Sequence, residues 1–547
     1  MTGPEAPATE PGPVRQAGRG IGRAAVLIGV ITVLANLVGF GRQLVFAHTV
    51  GNSCLGTAYA TANQVPNIIY DIVLGGALTS AVVPVLAGPV ARRMVGGRDA
   101  AAEANQIASA LLTWTILLLA PVSVLIAVIS GPLVSVLLSG AHGCGLTAIV
   151  AVSTRMLAVF APQIMLYGLA VVLYGILQAH GRFTAPALAP VLSSLVVIAA
   201  YVAFVPLGGG YRNRLGALPW PAELTLSLGT TAGVAALAVT ALVPALRLRL
   251  RLRPTLRFPG GVAKRARGLA AVGIAVLIAQ DASAVAVIVL ANGHDGQGGL
   301  VLYNYGWQMF FVPYAVLAMP IATSAFPLLS AQSGDSFDGT AASSTRAVML
   351  VSWLGAALLA GAAVPASRLF AAHSASGQLA LTFAALAPGL VGFGLAANLS
   401  RVLFACGRSR VAALAMVGGW LLVIAADVVA VALVPERWVV PVLGLGNTIG
   451  LTVAGIALLG AVGRARGRAA LRGAGRAAGA GLAGALAGGA AGVAVSAAFP
   501  VSGFLRNAGV AILACGCVVV VFGLATLLLD GGDLRAVAIR ARGRLPW

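Results

Sequence analysis

Residues 167–205 read YGLAVVLYGILQAHGRFTAPALAPVLSSLVVIAAYVAFV, and residues 393–431 read FGLAANLSRVLFACGRSRVAALAMVGGWLLVIAADVVAV. Laid over one another without a gap, nineteen of the thirty-nine positions are identical. The matches include the turn pair Gly181-Arg182 against Gly407-Arg408 and the run VIAA. Each copy is a pair of apolar runs around a short polar turn. Traced to its polar boundaries, each run is long enough, at about 1.5 Å per residue, to cross a hydrocarbon core about 30 Å thick. An internal repeat of this kind sets the architecture before any single element is considered.

Working outward, the whole chain has the same character. It is 59% hydrophobic and 9% charged, with mean hydropathy +0.97, against about 25% charged residues in soluble domains. Fourteen apolar runs can be counted, and the two copies are spans 4–5 and 10–11. Six spans apart is an even number, so both copies cross in the same direction. A weaker echo joins spans 2 and 8, IVLGGALTSAVVPVL and AVLAMPIATSAFPLL, with Pro84 against Pro327. The expected fold is an all-α polytopic membrane protein of 14 transmembrane helices. Two six-helix lobes, 24–246 and 267–462, are related by a parallel repeat and followed by two C-terminal helices within 463–529. A disordered tail (1–23), a basic loop (247–266) and a basic tail (530–547) complete the division. The first apolar run exceeds a signal-peptide core and reads as a retained span. Parallel repeats point to a transporter whose site lies between the lobes.

The net charge of +21 does not indicate nucleic acid, because the basic residues are dispersed among the connections. Arg212, Arg214, Arg368, Arg437 and Arg506 fall on one face, and Arg42, Arg155 and Arg401 within spans. All other Lys and Arg residues fall on the opposite face. The positive-inside rule then places both termini in the cytoplasm of a plasma-membrane protein and favours contact with anionic lipid. In RLRLRLRPTLR the arginines share one side only if the segment is extended. Five cysteines are too few for a disulfide framework. Cys54 and Cys144, however, both fall on the outer face, where a disulfide between them could persist; the alternative is two unrelated small residues.

Six ionisable residues lie within spans: Arg42, Asp71, Arg155, Asp281, Arg401 and Asp427. Each costs at least about 2.5–3.5 kcal/mol near the bilayer centre unless a partner or wet cavity receives it. The stretch ANQVPNIIYDIVLGGALTS, 62–80, packs Gln64, Pro66, Asn67, Asp71, Gly75 and Gly76 into one span. At about 1.5 Å per residue, Arg42, Asn67 and Asp71 lie roughly 12, 15 and 21 Å below the outer surface. Pro66 frees a carbonyl, and Gly75 and Gly76 permit bending, so the stretch reads as a bent cavity wall; an Arg42–Asp71 ion pair joining spans 1 and 2 is the alternative. Asp427 stands where the first copy has Tyr201. With Asp281, Asn447 and Thr448 at similar depth it offers an oxygen set for a hard cation or proton relay, against separate pairing of each Asp. Arg155 and Arg401 lie near span ends, where long side chains can snorkel. No nucleophile–base pair, Cys/His metal spacing or phosphate loop stands out, so the reading is a transporter and not an enzyme.

LVGFGRQLVFAHTVG (37–51), AYATANQVPNIIYDIVLGGALTSAVVPVL (58–86), APQIMLYGLAVVLYGILQAHGRFTAPALAPV (161–191) and YGWQMFFVPYAVLAMPIATSAFPLLS (305–330) resemble the MurJ/MviN family of lipid II flippases. This family belongs to the multidrug/oligosaccharidyl-lipid/polysaccharide exporter superfamily, and the likeness is strongest to actinobacterial members. The resemblance implies that lipid II, an undecaprenyl-pyrophosphate-linked peptidoglycan precursor, is moved to the outer leaflet by alternating access. It also implies a groove for the lipid tail in spans 13–14, and the Asp281–Asp427 cluster is similar to cation sites of the superfamily. Na+, H+ and membrane potential all stay open as the coupling source, and no other cofactor is expected. Carried over residue by residue, the family's second span 1 arginine falls on Arg42 and the first on Asn36. Basic positions of span 2 fall on Tyr70 and Asp71, and one of span 8 on Gln308. Substrate contact is therefore expected from Arg42, Asn36, Gln64, Asn67, Tyr70, Asp71 and Gln308. The departures from arginine keep a second reading open, an exporter of another polyprenyl-linked glycan or a cation-coupled drug antiporter. A third is a non-transporting scaffold for cell-wall synthesis proteins.

Overall fold

A computed structural model describes residues 31, 33–73, 98–248, 253–257, 262–294, 298–371 and 373–541. No strand occurs among them. The first half comprises α1 (33–49), α2 (Cys54–Val73), α3 (Arg98–Val128), short α4 (Ser130–Leu137), α5 (Leu146–Phe160), α6 (Pro162–Ala179), α7 (Thr184–Gly208) and α8 (Trp220–Leu246). The second comprises α9 (Val262–His294), α10 (Gly299–Pro313), α11 (Met319–Ala331), α12 (Gly334–Gly361), short α13 (Ala363–Phe370), α14 (His373–Leu386), α15 (Gly389–Ala405), α16 (Ser409–Leu433) and α17 (Val439–Arg466). Two more helices follow, α18 (Ala474–Ala498) and α19 (Phe504–Ala541).

Among the described residues eleven helical runs are long and apolar enough to cross a membrane. The number is twelve if Ala375–Leu386 and Gly389–Ala405, bent by 41°, form one span. The expectation of fourteen also counts spans 1 and 2, described only over 33–49 and Cys54–Val73. Gly75 and Gly76, Pro84 and the expected tail 1–23 lie outside the described residues. The expected tail after residue 529 begins instead as a continuation of α19, which stays helical to Ala541.

The repeat appears as geometry at its two turns. Gly181 and Gly407 take φ of 72° and 70°. In each turn the residue after the glycine donates its N–H back to the last helical turn: Arg182 to Leu177 O and Arg408 to Leu403 O, both 2.8 Å. The glycines donate to Gln178 O and Phe404 O, both 3.0 Å. This is the Schellman closure, which needs a left-handed residue that a side chain disfavours. The same closure therefore joins α6 to α7 and α15 to α16. Beyond the turns, α7 packs on α8 and α16 on α17, while α18 and α19 pack on each other and dock on α12.

Large apolar side chains line the outside, including Val128, Leu414, Leu433, Ile512 and Leu528. In water such a surface would aggregate; against lipid tails it is the favourable one. Inside, Tyr305, Phe310, Phe370 and Phe383 are buried. Phe40 of α1 meets Phe370 of α13 edge-on at 5.5 Å between ring centres, which ties the first helix to the second half.

Candidate transport site

Two polar clusters occupy equivalent places in the two halves. In the first, the Tyr59 hydroxyl of α2 lies 2.8 Å from both Tyr201 Oη of α7 and Thr230 Oγ1 of α8. In the second, Asn447 Nδ2 of α17 donates to Tyr303 Oη of α10 at 2.8 Å, and Asp427 of α16 faces that tyrosine. Asp427 stands at the repeat position of Tyr201. The substitution removes the hydroxyl that closes the first cluster. Asp427 is fully buried, and neither of its carboxylate oxygens has a hydrogen-bond partner among the described residues. Asn447 Oδ1 is also buried without a partner. The carboxylate rests against Gly446, where even a methyl group would collide with it.

The expected four-residue oxygen set is divided. Asn447 joins Asp427 through Tyr303, but Thr448 gives its hydroxyl to Ala385 O at 2.6 Å. Asp281 of α9 lies within electrostatic reach of Asp71 of α2, with one buried oxygen unpartnered. Among the described residues no three His, Cys, Asp or Glu side chains gather as a metal cluster.

Arg42 lies within electrostatic reach of Tyr59, Tyr167 and Tyr201. It makes no ion pair with Asp71, so the stitch between spans 1 and 2 is not how either charge is held. Tyr167 of α6 donates to Asn67 Oδ1 at 3.1 Å, and its ring lies 4.4 Å from that of Tyr70. Asn67, Tyr70 and Tyr167 thus form one wall, with Arg42 within electrostatic reach of Tyr167 and Asp71 exposed next to Tyr70 in the chain. Gln64 and Gln308 are half-buried and Asn36 exposed. Pro66 is buried within α2, which continues unbroken around it.

Arg155 does not snorkel. Its Nε and Nη2 hold Glu223 Oε1 and Oε2 at 2.9 and 2.7 Å, and the carboxylate side chain is 3% exposed. Glu223 sits at the start of α8, just outside the expected span, so sequence spacing alone did not mark it. Arg401 donates to Ala397 O of its own helix at 2.6 Å and faces Tyr314.

At the end that carries the disulfide the halves are joined by polar contacts. Asn292 Nδ2 of α9 donates to Thr61 Oγ1 at 3.0 Å and to Leu137 O at 3.1 Å. Gly298 N donates to Thr57 Oγ1 at 2.9 Å. A disulfide joins Cys54 to Cys144, fixing the start of α2 to the loop before α5.

The sequence model of the family described as "Lipid II flippase MurJ" matches residues 46–497. A Burkholderia cenocepacia protein, "Lipid II flippase MurJ", is 28% identical over 312 residues, 56% of this chain and 57% of that one. A Synechocystis sp. protein, "Probable lipid II flippase MurJ", is 27% identical over 256 residues, 45% of each chain. The chain thus aligns with about half the length of these curated relatives. Among solved structures, lipid II flippase MurJ in an inward closed conformation superposes with a TM-score of 0.68 at 16% identity, covering 91% of this chain and 98% of that one. An inward-facing multidrug-resistance MATE-family transporter gives 0.62 at 16% identity, covering 79% and 94%. At such identities the likeness is one of fold. The family model, however, covers most of the chain, and the chain belongs to the lipid II flippase MurJ family.

Proposed function

We propose that this chain is a lipid II flippase of the bacterial plasma membrane, with both termini in the cytoplasm, working by alternating access. The family match over residues 46–497 carries the reading. The site is consistent with it. An arginine without a carboxylate partner among the described residues, near a wall of Asn67, Tyr70 and Tyr167, is a receptor for an anionic head group. The contacts of α2 with Asn292 of α9 and with Gly298 before α10, together with the apolar core around them, would hold the outer end shut, as an inward-facing state of such a transporter requires. Anionic lipids and cell-wall synthesis proteins are the proposed partners.

Asp427 is the proposed coupling group. A fully buried carboxylate with two unpartnered oxygens calls for a proton or a cation. Asp427, Asn447 Oδ1 and Tyr303 Oη supply hard oxygen donors suited to Na+. Asp281 and Thr448, engaged elsewhere, belong to this site only if the helices move.

Complementation of a flippase-depletion strain tests the reading. The wild-type chain should restore growth and outer-leaflet lipid II, and Arg42→Ala, present in the membrane at equal amount, should restore neither. Growth with Arg42→Ala at wild-type rate removes the head-group role. Asn36, Tyr70, Asp71 and Gln308 supply no positive charge, and this observation favours the second reading, export of another polyprenyl-linked glycan. A wild-type chain that inserts but does not complement would support it.

A further inference from the structure

We infer that the flank of the first half formed by α3, α6 and α8 holds one anionic phospholipid of the leaflet on the basic side. A cavity of about 390 Å³ opens there, lined by Leu112, Ile116, Leu173, Val239, Leu242 and Leu246 among other aliphatic side chains. A greasy slot of this shape on a lipid-facing surface accepts an acyl chain.

The segment after α8 supplies the head-group contacts. Arg253 N bonds Ser109 Oγ at 3.0 Å and Thr255 N bonds Thr113 Oγ1 at 3.2 Å. Two residues of chain thus span four residues of helix, about 6 Å by either count, which requires an extended backbone laid along α3. Trp114 Nε1 then donates to Leu256 O at 3.2 Å, and Arg257 N turns back to Thr255 Oγ1 at 3.2 Å. The pinned segment and the cavity share α3: Leu112 lines the cavity while Thr113 and Trp114 hold the segment. At the other edge, Leu246 lines the cavity and Arg247 follows it. Arg247, Arg253 and Arg257 are exposed, and none has a carboxylate partner among the described residues.

Three exposed arginines without a described carboxylate partner, on segments that flank a hydrocarbon slot, match a phosphate head group on an acyl tail. The site is separate from the transport wall, although α6 serves both. Leu166, Leu169, Leu173 and Ile176 face the slot, while Tyr167 meets Tyr70 on another face. Only the name of the leaflet rests on the proposed orientation.

Lipid binding by the purified full-length chain, followed by native mass spectrometry, tests this without reference to transport. Phosphatidylglycerol should bind in preference to phosphatidylcholine. Arg247→Gln, Arg253→Gln and Arg257→Gln together should abolish the preference, each contributing about fivefold. Ile116→Trp, a change at an exposed position, should lower binding of both lipids by filling the slot. Unchanged selectivity in the triple variant, or unchanged binding in Ile116→Trp, overturns the proposal. So does stronger competition by undecaprenyl phosphate than by phosphatidylglycerol, which would make the slot a place for the substrate's tail.

Discussion

Arg42 and Asp427 are both charges where a bilayer would reject them, and the surrounding residues treat them differently. Arg42 is half-buried and within electrostatic reach of three tyrosine hydroxyls, those of Tyr59, Tyr167 and Tyr201. Asp427 is sealed among Tyr303, Gly446 and Asn447 with both oxygens unused. The first arrangement suits a contact made and broken with cargo, the second a small ion or proton that enters as the helices shift. Asp427→Asn keeps the shape and removes the charge. It should therefore leave membrane insertion and thermal stability near wild type while the dependence of flipping on a sodium or proton gradient is lost. Vesicles in which the variant still responds to the gradient would exclude Asp427 as the coupling group. Sequence alone identified Asp427 as an anomaly because the repeat gives it a comparator, Tyr201. It could not tell that Asp281 comes within electrostatic reach of Asp71 instead, since that depends on how α9 is rotated against α2.

Among the elements, the repeated helix–turn–helix was legible because a left-handed glycine followed by arginine leaves its mark in both copies. The partner of Arg155 was not, because an ion pair between α5 and α8 has no spacing to read. That pair yields an asymmetric prediction. Arg155→Gln strands Glu223, whose side chain is 3% exposed, and breaking a buried pair in this way costs on the order of 3 kcal/mol. Glu223→Gln leaves an arginine side chain 45% exposed, which water or head groups can solvate, and should cost much less. Thermal unfolding of the two variants and of the double variant checks this. Equal losses from both single changes would mean that the pair does not tie α5 to α8 through the buried carboxylate. The basic loop shows the same limit: alternation said only that the arginines share a side if the segment is extended, and nothing in it named Ser109 and Thr113 as the groups that hold 253–255.

For the whole molecule, alternating access requires the halves to part where they now meet. At the end that carries the disulfide, the described hydrogen bonds between them run from Asn292 to Thr61 and Leu137 O and from the backbone of Gly298 to Thr57. They are set against an apolar core that both halves share through Leu55, Ala58, Ala291 and Val301. Each such hydrogen bond is worth about 1 kcal/mol net, enough to bias a closed state and little enough to be exchanged for others when the opposite end closes. The disulfide between Cys54 and Cys144 holds the start of α2 to its own half, so α2 should move with the first half as a unit when the outer end opens. Replacing Thr61 and Asn292 with cysteines, whose present side chains approach to 3.0 Å, should allow oxidation to lock the outer end. In reconstituted vesicles the oxidised protein should bring no lipid-linked precursor to the outer leaflet, and reduction should restore it. The same reduction applied to the unsubstituted chain separates this effect from loss of the native disulfide. Flipping at an unchanged rate in fully cross-linked protein would mean that cargo leaves without parting α2 from α9, and the alternating-access reading would fall.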